Sequence, residues 1–467
     1  MGEAAKIALN AIGKQDTHLL SKDPEDSVFN YDLEAHSNFV KTHKVRNIRN
    51  DVTPGWPFGQ TIKVEYNPQN MGDLLTNMWI KINLPNTSGV FGDYYSSYLG
   101  RHLIKSITMY VDELEVEKLT DDWMFIYDQL YLDSTEAYGS RPLVNMNIVS
   151  HTPSHAILDA VSRLNSIELL IPIKFFFSQR YAAGEYEINT SNKNYFPVCS
   201  IYRQKIIFEI EFHEQSFFTG SPTQIEVNDF DIITEEITLS KEERTFLVSK
   251  EHKMLSRIVK QHPTTETEYN KDEVRIDLVA NLPVSCFHWF LRDVKYEESD
   301  VPIGRKANGE EIQNSTELEN EGLEEDDFNF LNRFNFSKLK YNDPYGSDYR
   351  LSDAYDILKS ASFFVNENKF PNISNPDSMF YRLYIPYHHR LNSPQYETPI
   401  YTYSFSLYPK NENPSGFFDF STLKSRNTNL RIELKSNLTS HRKFNVHMYY
   451  LGFVKLKFRS GFMSIAS

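Results

Sequence analysis

Cysteine is almost absent from this chain, which has only two among 467 residues, Cys199 and Cys286. Two cysteines so far apart do not form the framework of a small disulfide-rich domain, and a chain of this length buries about three-quarters of its surface without one. We expect two buried free thiols, as in a protein that folds in a reducing compartment such as the cytosol. A disulfide or a metal role for the pair is the alternative.

Long apolar runs are also missing. No stretch of about 18 apolar residues occurs, and the residues after Met1 do not have the pattern of a signal peptide, so we expect a soluble protein. The sequence contains no Gly-x-Ser-x-Gly elbow, no Walker A loop and no Gly-x-Gly-x-x-Gly turn. These absences remove the motif-based reasons to expect an enzyme or a nucleotide cofactor.

Positive charge is scarce. The chain has 49 Lys and Arg against 63 Asp and Glu, and its net charge is −14. Residues 297–327 contain twelve acids and two bases, so this acidic loop carries −10 and the rest of the chain only −4. A nucleic-acid surface needs clustered Lys and Arg, so no direct contact with nucleic acid is predicted. The basic stretch 41–49 is interpreted as a solvated connector, with an anionic partner as the alternative.

The chain is rich in segments in which apolar and polar residues alternate, the period of a strand with one buried face. Aromatic residues make up 14% of the chain and favour strands, and its 21 prolines supply breaks between them. The predicted strands include 61–66, 79–84, 103–111, 113–118, 205–212, 274–278, 284–291, 334–339, 429–435 and 444–458. With 467 residues, two β domains are expected.

Two short helices interrupt this pattern. Residues 120–130 have an apolar face with helical spacing, with Thr120 as N-cap and Asp121 and Asp122 in the first turn. Ser240 and Glu243 have the spacing of a capping box, which predicts a helix start between the two domains. Residues 351–358 predict a further helical turn or two.

The stretch from 381 to 423 is the most informative, and its first residues are predicted as a strand that ends at Pro386. Residues 401–407 alternate as a strand, Pro409 ends it, and Pro-Ser-Gly at 414–416 forms a turn. This order resembles the "Tyr-x-Tyr-Ser-Phe-x-Leu" strand and the "Pro-Ser-Gly-x-x-x-Phe-Ser" turn of the major capsid proteins of nucleocytoplasmic large DNA viruses, the iridovirus-like group. The helix at 120–130, the apolar segment 167–178 and the Glu-Glu-Arg at 242–244 are similar to family segments in the same order. The polar stretch 181–197 departs from the family pattern.

The resemblance implies an all-β fold, a double jelly roll made of two eight-stranded antiparallel β-sandwiches with short helices in the loops. It implies an N-terminal arm at 1–55, a first roll at 56–238 and a second roll at 239–467 that carries the acidic loop 297–327. Residues 4–12 could form a helix too short to be stable alone, so the arm either orders on a partner or is a frayed tail.

The function implied is that of a major capsid protein, a structural viral protein rather than an enzyme. Three copies would form a pseudo-hexagonal capsomer, and capsomers made in the host cytoplasm would tile the icosahedral shell of the virion. The implied partners are other copies of the chain, minor capsid proteins and, through the arm, proteins associated with an internal membrane. The alternatives are a scaffold or minor capsid protein of the same lineage and a carbohydrate-binding β-sandwich, which the Tyr and Trp content suggests.

No catalytic, cofactor-binding or metal-binding residue is assigned. His151 and His155 have the spacing of helical metal ligands, but Pro153 lies between them and no zincin Glu is present. The pairs Asp121–Asp122 and Glu235–Glu236 are interpreted as capping and solvated carboxylates, and His388–His389 as surface or interface residues. Six glycosylation sequons occur, of which Asn314 in the acidic loop is the candidate for modification.

Overall fold

The computed structural model describes residues 38–48, 55–85, 95, 98–144, 167–179, 194–219, 224–227, 229–294, 356–365, 368–394, 398–410, 414–420, 428–435 and 443–466. The chain divides into two compact units, Met1–Phe39 and Val40–Ser467, and the sheets described here belong to the second unit. Within the described ranges, no helix is long and apolar enough to cross a membrane.

The first half of this unit forms two four-stranded antiparallel sheets in its described part. Its strands are β1 (Val40–Asn47), β2 (Thr61–Tyr66), β3 (Leu74–Leu84), β4 (Ile104–Val111), β5 (Leu114–Thr120), β6 (Ile167–Ile173), β7 (Ile206–Phe212) and β8 (Asp229–Thr238). One sheet has the order β1-β8-β3-β6 and the other β2-β7-β4-β5. Burial alternates along β3 and β7, as the sequence predicts, because one face of each strand packs on the other sheet.

The second half also contains two antiparallel sheets. Its strands are β9 (His252–Glu266), β10 (Glu273–Asp277), β11 (Pro283–Asp293), β12 (Leu358–Val365), β13 (Asn368–Phe370), β14 (Tyr401–Ser404), β15 (Phe418–Asp419), β16 (Thr428–Leu434), β17 (Phe444–Arg459) and β18 (Phe462–Ala466). One sheet has the order β10-β16-β12-β13. In the other, the long β17 pairs with β9 along one edge and with β11 and β18 along the opposite edge, while β14 and β15 pair with β11.

The two halves repeat one strand order. The sheet β1-β8-β3-β6 corresponds to β9-β17-β11-β14, and β2-β7-β4-β5 corresponds to β10-β16-β12-β13. Each half therefore has the strand order of a two-sheet jelly roll, and the predicted double jelly roll is confirmed. The short β15 and β18 are additions to this plan. Every strand pair in the described ranges joins strands of the same half, but the predicted domain limits at 56, 238 and 239 remain a prediction.

The helices are short and lie between strands. They are α1 (Leu99–Leu103), α2 (Asp121–Leu130), α3 (Ser134–Leu143), α4 (Lys241–Ser249) and α5 (Ile385–His388), with a π-helical segment at Phe380–Tyr384 before α5. The Thr120 hydroxyl accepts from the Trp123 N–H at 3.2 Å, and the Ser240 hydroxyl accepts from the Glu243 N–H at 3.4 Å. Both predicted N-caps are confirmed.

Two local predictions are wrong. Residues 41–47 of the predicted connector belong to β1, whose side chains are mostly exposed and give no hydrophobic alternation. Residues 381–388 are helical where a strand ending at Pro386 was expected, because their buried residues recur at helical spacing. The helical turn or two predicted at 351–358 stays a prediction, since residues 351–355 lie outside the described part; residues 356 and 357 are not helical and Leu358 begins β12. The strand predicted at 334–339 also lies outside the described part.

Two large apolar cores hold the described sheets together, and a third, small cluster lies around Leu74 and Leu247. The smaller of the two large cores packs the two sheets of the second half on each other, around Phe287, Trp289 and Phe363. The larger one fills the first half and continues into the second, where it includes Val259, Leu451 and further residues of β9, β11 and β17. The outer face of the sheet β9-β17-β11 is therefore buried against the first half.

Candidate functional site: the junction between the two rolls

The surface where the two rolls meet contains several buried charged and polar contacts between distant parts of the chain. We call it the junction. From the first roll it includes β5, α2 and Tyr131, and from the second roll it includes the faces of β9, β11 and β17 toward them. Since these elements are regular strands and one capped helix, the side chains between them are held by packed backbone on both sides.

A buried ion pair crosses the junction. Arg292 on β11 binds Asp122 through two parallel contacts, of which the Nη1 to Oδ2 contact measures 3.0 Å. Both side chains are almost fully buried. Asp121 contacts His213 Nε2 at 3.0 Å and is also buried. The interpretation of Asp121 and Asp122 as solvated carboxylates is therefore wrong. Thr120 caps the helix, and the second roll covers its first turn.

A chain of hydrogen bonds runs from α2 into the second roll. The Tyr131 hydroxyl lies 2.7 Å from His288 Nε2, and His288 Nδ1 lies 2.9 Å from the Thr402 hydroxyl. Burial, followed by the nearby Arg257 guanidinium, lowers the pKa of His288 to about 3. The ring is therefore neutral, with one donor and one acceptor nitrogen, which is the state that two hydroxyl partners satisfy.

Cys286 lies beside this chain without the properties of a nucleophile. Its Sγ is 3.5 Å from both the Tyr131 hydroxyl and His288 Nε2. Burial raises the pKa of Cys286, so the thiol stays protonated at neutral pH. Cys199 is also buried, and burial raises its pKa to about 11. Both cysteines are free, which confirms the predicted buried thiols.

Glu117 is a further buried ionisable group of the junction. Its Oε2 accepts from the Phe176 N–H at 2.8 Å, and its Oε1 accepts from the Val259 N–H on β9 at 3.1 Å. Burial raises the pKa of Glu117 to about 7, although both N–H groups and the charges of Lys260 and Arg257 act to lower it. One carboxyl group thus joins three chain segments from both rolls.

Sequence reasoning missed Glu117 because the chain departs from simple alternation there. The register of the β4–β5 pair shifts between residues 115 and 117, so Val116 is an extra bulge residue and both Val116 and Glu117 are buried. The preceding hairpin turns at Asp112 and Glu113. Arg257, Arg292 and His288 were missed as well, since only the packing of the rolls identifies the covered face of the second roll.

The far end of α2 is fixed by the segment around α5 and β14. The Asn392 N–H donates to Leu130 O at 3.0 Å, Lys410 Nζ lies 3.0 Å from Asp133 Oδ1, and Arg257 Nη1 donates to Pro409 O. Together with the Arg292 pair, these contacts hold both ends of α2 on the second roll. The junction fixes one orientation of the rolls, and its acidic, thiol and imidazole groups are buried and neutral or fully engaged.

The other predicted residues lie away from the junction. Glu235 and Glu236 are buried on β8 beside β1, so their interpretation as solvated is also wrong. His388 is exposed on α5, and the His389 Nδ1–H donates to Leu407 O at 3.1 Å. No group of three His, Cys, Asp or Glu that could hold a metal occurs in the described part. His151, His155, Asn314 and the acidic loop 297–327 lie outside it.

Comparison with known proteins gives matches over both halves. The family "Major capsid protein N-terminus" matches residues 27–248, and the family "Large eukaryotic DNA virus major capsid protein" matches residues 243–463. The major capsid protein of Phaeocystis pouchetii virus is 21% identical over 530 residues, which cover 98% of each chain. That of Pyramimonas orientalis virus is 21% identical over 284 residues, which cover 61% of this chain and 64% of the relative.

Solved structures share the fold. A chain of the PBCV-1 virus capsid superposes with a TM-score of 0.66 at 16% identity, covering 94% of this chain and 100% of that one. The Faustovirus major capsid protein gives a TM-score of 0.65 at 11% identity, covering 98% and 100%. Both the predicted fold and the predicted family resemblance are confirmed.

Proposed function

The chain belongs to the family of major capsid proteins of large eukaryotic DNA viruses, and on that basis we propose that three copies associate into a pseudo-hexagonal capsomer. Capsomers of this kind tile the icosahedral shell of the virion. The chain acts as a structural building block whose shape determines how the shell assembles, and not as an enzyme.

The observation that carries the proposal is the repeated strand order of two rolls joined by a buried junction. Three such chains contain six similar rolls, and six similar rolls give a tile with six similar sides. The tile keeps its shape only if the two rolls of a chain cannot rotate against each other. The Arg292–Asp122 pair, the Glu117 contacts and the shared core supply that constraint. A junction free to rotate would not specify a planar hexagonal array.

The domain limits follow the same plan. We assign the first roll to residues 56–238 and the second to 239–467, with α4 as the connection between them. The arm at 1–55 would contact minor capsid proteins or proteins of an internal membrane, although its residues 40–47 also belong to the first roll as β1. The acidic loop 297–327 and Asn314 would lie on the outer surface of the capsomer, where negative charge keeps particles apart.

The test is the mass and shape of the purified full chain. Size-exclusion chromatography with light scattering at micromolar concentration should give three times the mass of one chain, since obligate interfaces bury about 2,000–5,000 Å² or more. Class averages from electron microscopy should show a hexagonal outline. A stable monomer at that concentration, or a particle with a different outline, would contradict the proposal.

A further inference from the structure

The two rolls place helical segments at equivalent positions, but only the segment of the first roll has its outward face covered by the other roll. In the first roll, α2 and α3 lie between β5 and β6, and α2 is covered by the outer face of the sheet β9-β17-β11. In the second roll, the helical segment 380–388 lies between β13 and β14, the corresponding strands. Its inward side chains are buried in the second roll, but Tyr384 and Tyr387 on its outward face are exposed in the single chain.

These exposed side chains form an aromatic patch, defined here as Met379, Tyr384, Tyr387, Leu407 and Tyr408. Tyr387 is 80% exposed and Leu407 is 69% exposed. The hydrogen bond from His389 to Leu407 O holds the helical segment beside residues 407 and 408. Large apolar side chains grouped in this way are typical of protein interfaces.

Charge is nearly absent from the patch. Within 379–389 and 398–408 the sequence has a single Lys, Arg, Asp or Glu, which is Arg382. The Arg382 side chain is buried and lies 3.4 Å from Asp356. Depletion of charge with enrichment of Tyr and Met is the composition of the centre of an interface, not of a solvated surface.

The segments that follow the equivalent strands β6 and β14 show the same contrast. After β6, Phe176 and Phe177 are buried, and the Phe176 N–H donates to Glu117 at the junction. After β14, Leu407 and Tyr408 are exposed. The aromatic patch is thus the second roll's version of a surface that, in the first roll, is already packed against a neighbouring roll.

The complementary surface is also exposed, and it lies on the first roll. In the second roll, the cross-strand row Cys286, Leu451 and Val259 is buried against the first roll. The corresponding strands of the first roll carry the row Trp79, Ile233 and Val45 on their outward face. Val45 is 62% exposed, and Trp79 and Ile233 are partly exposed. We call this row and its surroundings the open face.

We propose that the aromatic patch of one copy docks on the open face of the next copy, repeating between chains the contact that α2 makes within the chain. This inference rests on the proposed trimer and names its interface. The contact joins two different surfaces, so it is heterologous and forms a ring when the rotation closes. With two rolls per chain, every roll in a ring of three then packs its helical segment on the sheet of the next roll.

The test uses full-length chains with one charge placed in either surface. Tyr387→Glu alters the aromatic patch and Val45→Glu alters the open face, and both side chains are exposed enough for the fold to survive. We expect each variant to sediment as a monomer at concentrations where the parent is trimeric, with an apparent dissociation constant raised about 30-fold or more, as for an interface hot spot. Tyr269→Glu, at a 54% exposed tyrosine outside both surfaces, is the matched control and should remain trimeric.

Mixing the two variants tests the head-to-tail geometry. The Val45→Glu copy keeps an intact aromatic patch and the Tyr387→Glu copy keeps an intact open face, so the mixture should form a complex of two chains and no closed trimer. A patch-to-patch contact would leave Val45→Glu trimeric, which would overturn the proposal. Circular dichroism and melting temperatures equal to those of the parent establish that each variant is folded.

The outcomes separate this inference from the proposed function. A monomeric parent would overturn the trimer itself. A trimeric parent with trimeric Tyr387→Glu and Val45→Glu variants would leave the trimer standing and overturn the assignment of its interface. A chain without residues 1–37 tests another occupant of the open face. If that chain and Val45→Glu dissociate while Tyr387→Glu stays trimeric, the open face binds the N-terminal residues and the inference is wrong.

Discussion

Buried ionisable side chains give the junction its specificity. A purely apolar contact between two sheets and a helix tolerates sliding, whereas the paired contacts between Arg292 and Asp122 fix both distance and angle. The cost is desolvation, which the matching charge and hydrogen bonds offset only when the geometry is kept. Glu117 differs from this pair, because its hydrogen-bond partners are backbone N–H groups.

Glu117 makes the stability of the protein depend on pH. Burial raises the pKa of Glu117 from 4.5 to about 7, so the unfolded chain releases this proton at lower pH than the folded protein does. The free energy of unfolding therefore falls as pH rises from 4.5 to 7, by up to about 3 kcal/mol from this group. The variant Glu117→Gln has no carboxyl group at this position, so its unfolding free energy should not show this decrease with pH. Any stability lost with the carboxyl contacts should be the same at every pH.

Urea unfolding of parent and Glu117→Gln at several pH values measures the difference. The difference in unfolding free energy between the two proteins should change by about 3 kcal/mol in favour of the variant between pH 4.5 and 7.5. Above pH 7.5 the difference should stay constant. Glu115→Gln is the control, because Glu115 lies two residues away on the same strand and is exposed. Parallel curves for parent and Glu117→Gln would show that Glu117 is charged throughout this range.

At the scale of elements, β1 is a strand whose position is fixed by charge, because its sequence has no alternation of apolar and polar residues. It lies at the edge of its sheet and pairs along its length with β8. Lys44 and Arg46 point toward the buried Glu236, which also accepts from the Gly72 N–H and the Thr234 hydroxyl. Burial alone raises the pKa of Glu236, but these hydrogen bonds together lower it. The acidic pair on β8 thus matches the basic residues of β1.

Removing the two inward cations of β1 should destabilise the first roll. In Lys44→Ala/Arg46→Ala, Glu236 keeps its charge in a buried position without a cation. We expect the unfolding free energy to fall by about 2–3 kcal/mol, less than for a fully buried pair because Lys44 and Arg46 reach solvent. Thermal or urea unfolding measures the loss. Lys41→Ala, which alters the opposite face of the same strand, should have little effect; equal losses in both variants would refute this account.

The whole molecule should unfold as one unit. The larger apolar core contains residues of both rolls, so neither roll keeps its full core after separation. Differential scanning calorimetry should give one transition for the parent. Arg292→Ala removes the cation that faces the buried Asp122. Breaking a buried ion pair in this way costs about 3–5 kcal/mol and should lower the melting temperature or split the transition into two.

The control for this prediction is an exposed ion pair. Arg275 and Asp277 form one on β10, and both side chains are about half exposed. Arg275→Ala should melt as the parent does, because exposed pairs contribute little to stability. Two transitions in the parent itself would show that the rolls are independent, and the rigid junction proposed here would then be wrong.

Much of the fold could be predicted from local patterns. Alternation located strands such as β3, β7 and β16, because each has one face in a core and one toward solvent or polar neighbours. The caps at Thr120 and Ser240 were predictable because capping depends on residues within one turn. The patterns failed for residues 381–388, where tertiary packing buries a helical set of side chains in a Tyr-rich segment that resembles a strand.

The sequence alone was enough to predict the strands from local periodicity and the two free thiols from the scarcity and separation of the cysteines. The order of short motifs along the chain gave the resemblance to the family, and that resemblance implied the double roll. Only the tertiary structure decided that Asp122, Glu117 and Arg292 are buried. Sequence marks which face of a strand is apolar, but not which polar face a second roll will cover. Which polar face is covered depends on how the two folded sandwiches pack on each other. That packing is determined by contacts between residues more than a hundred positions apart in the sequence.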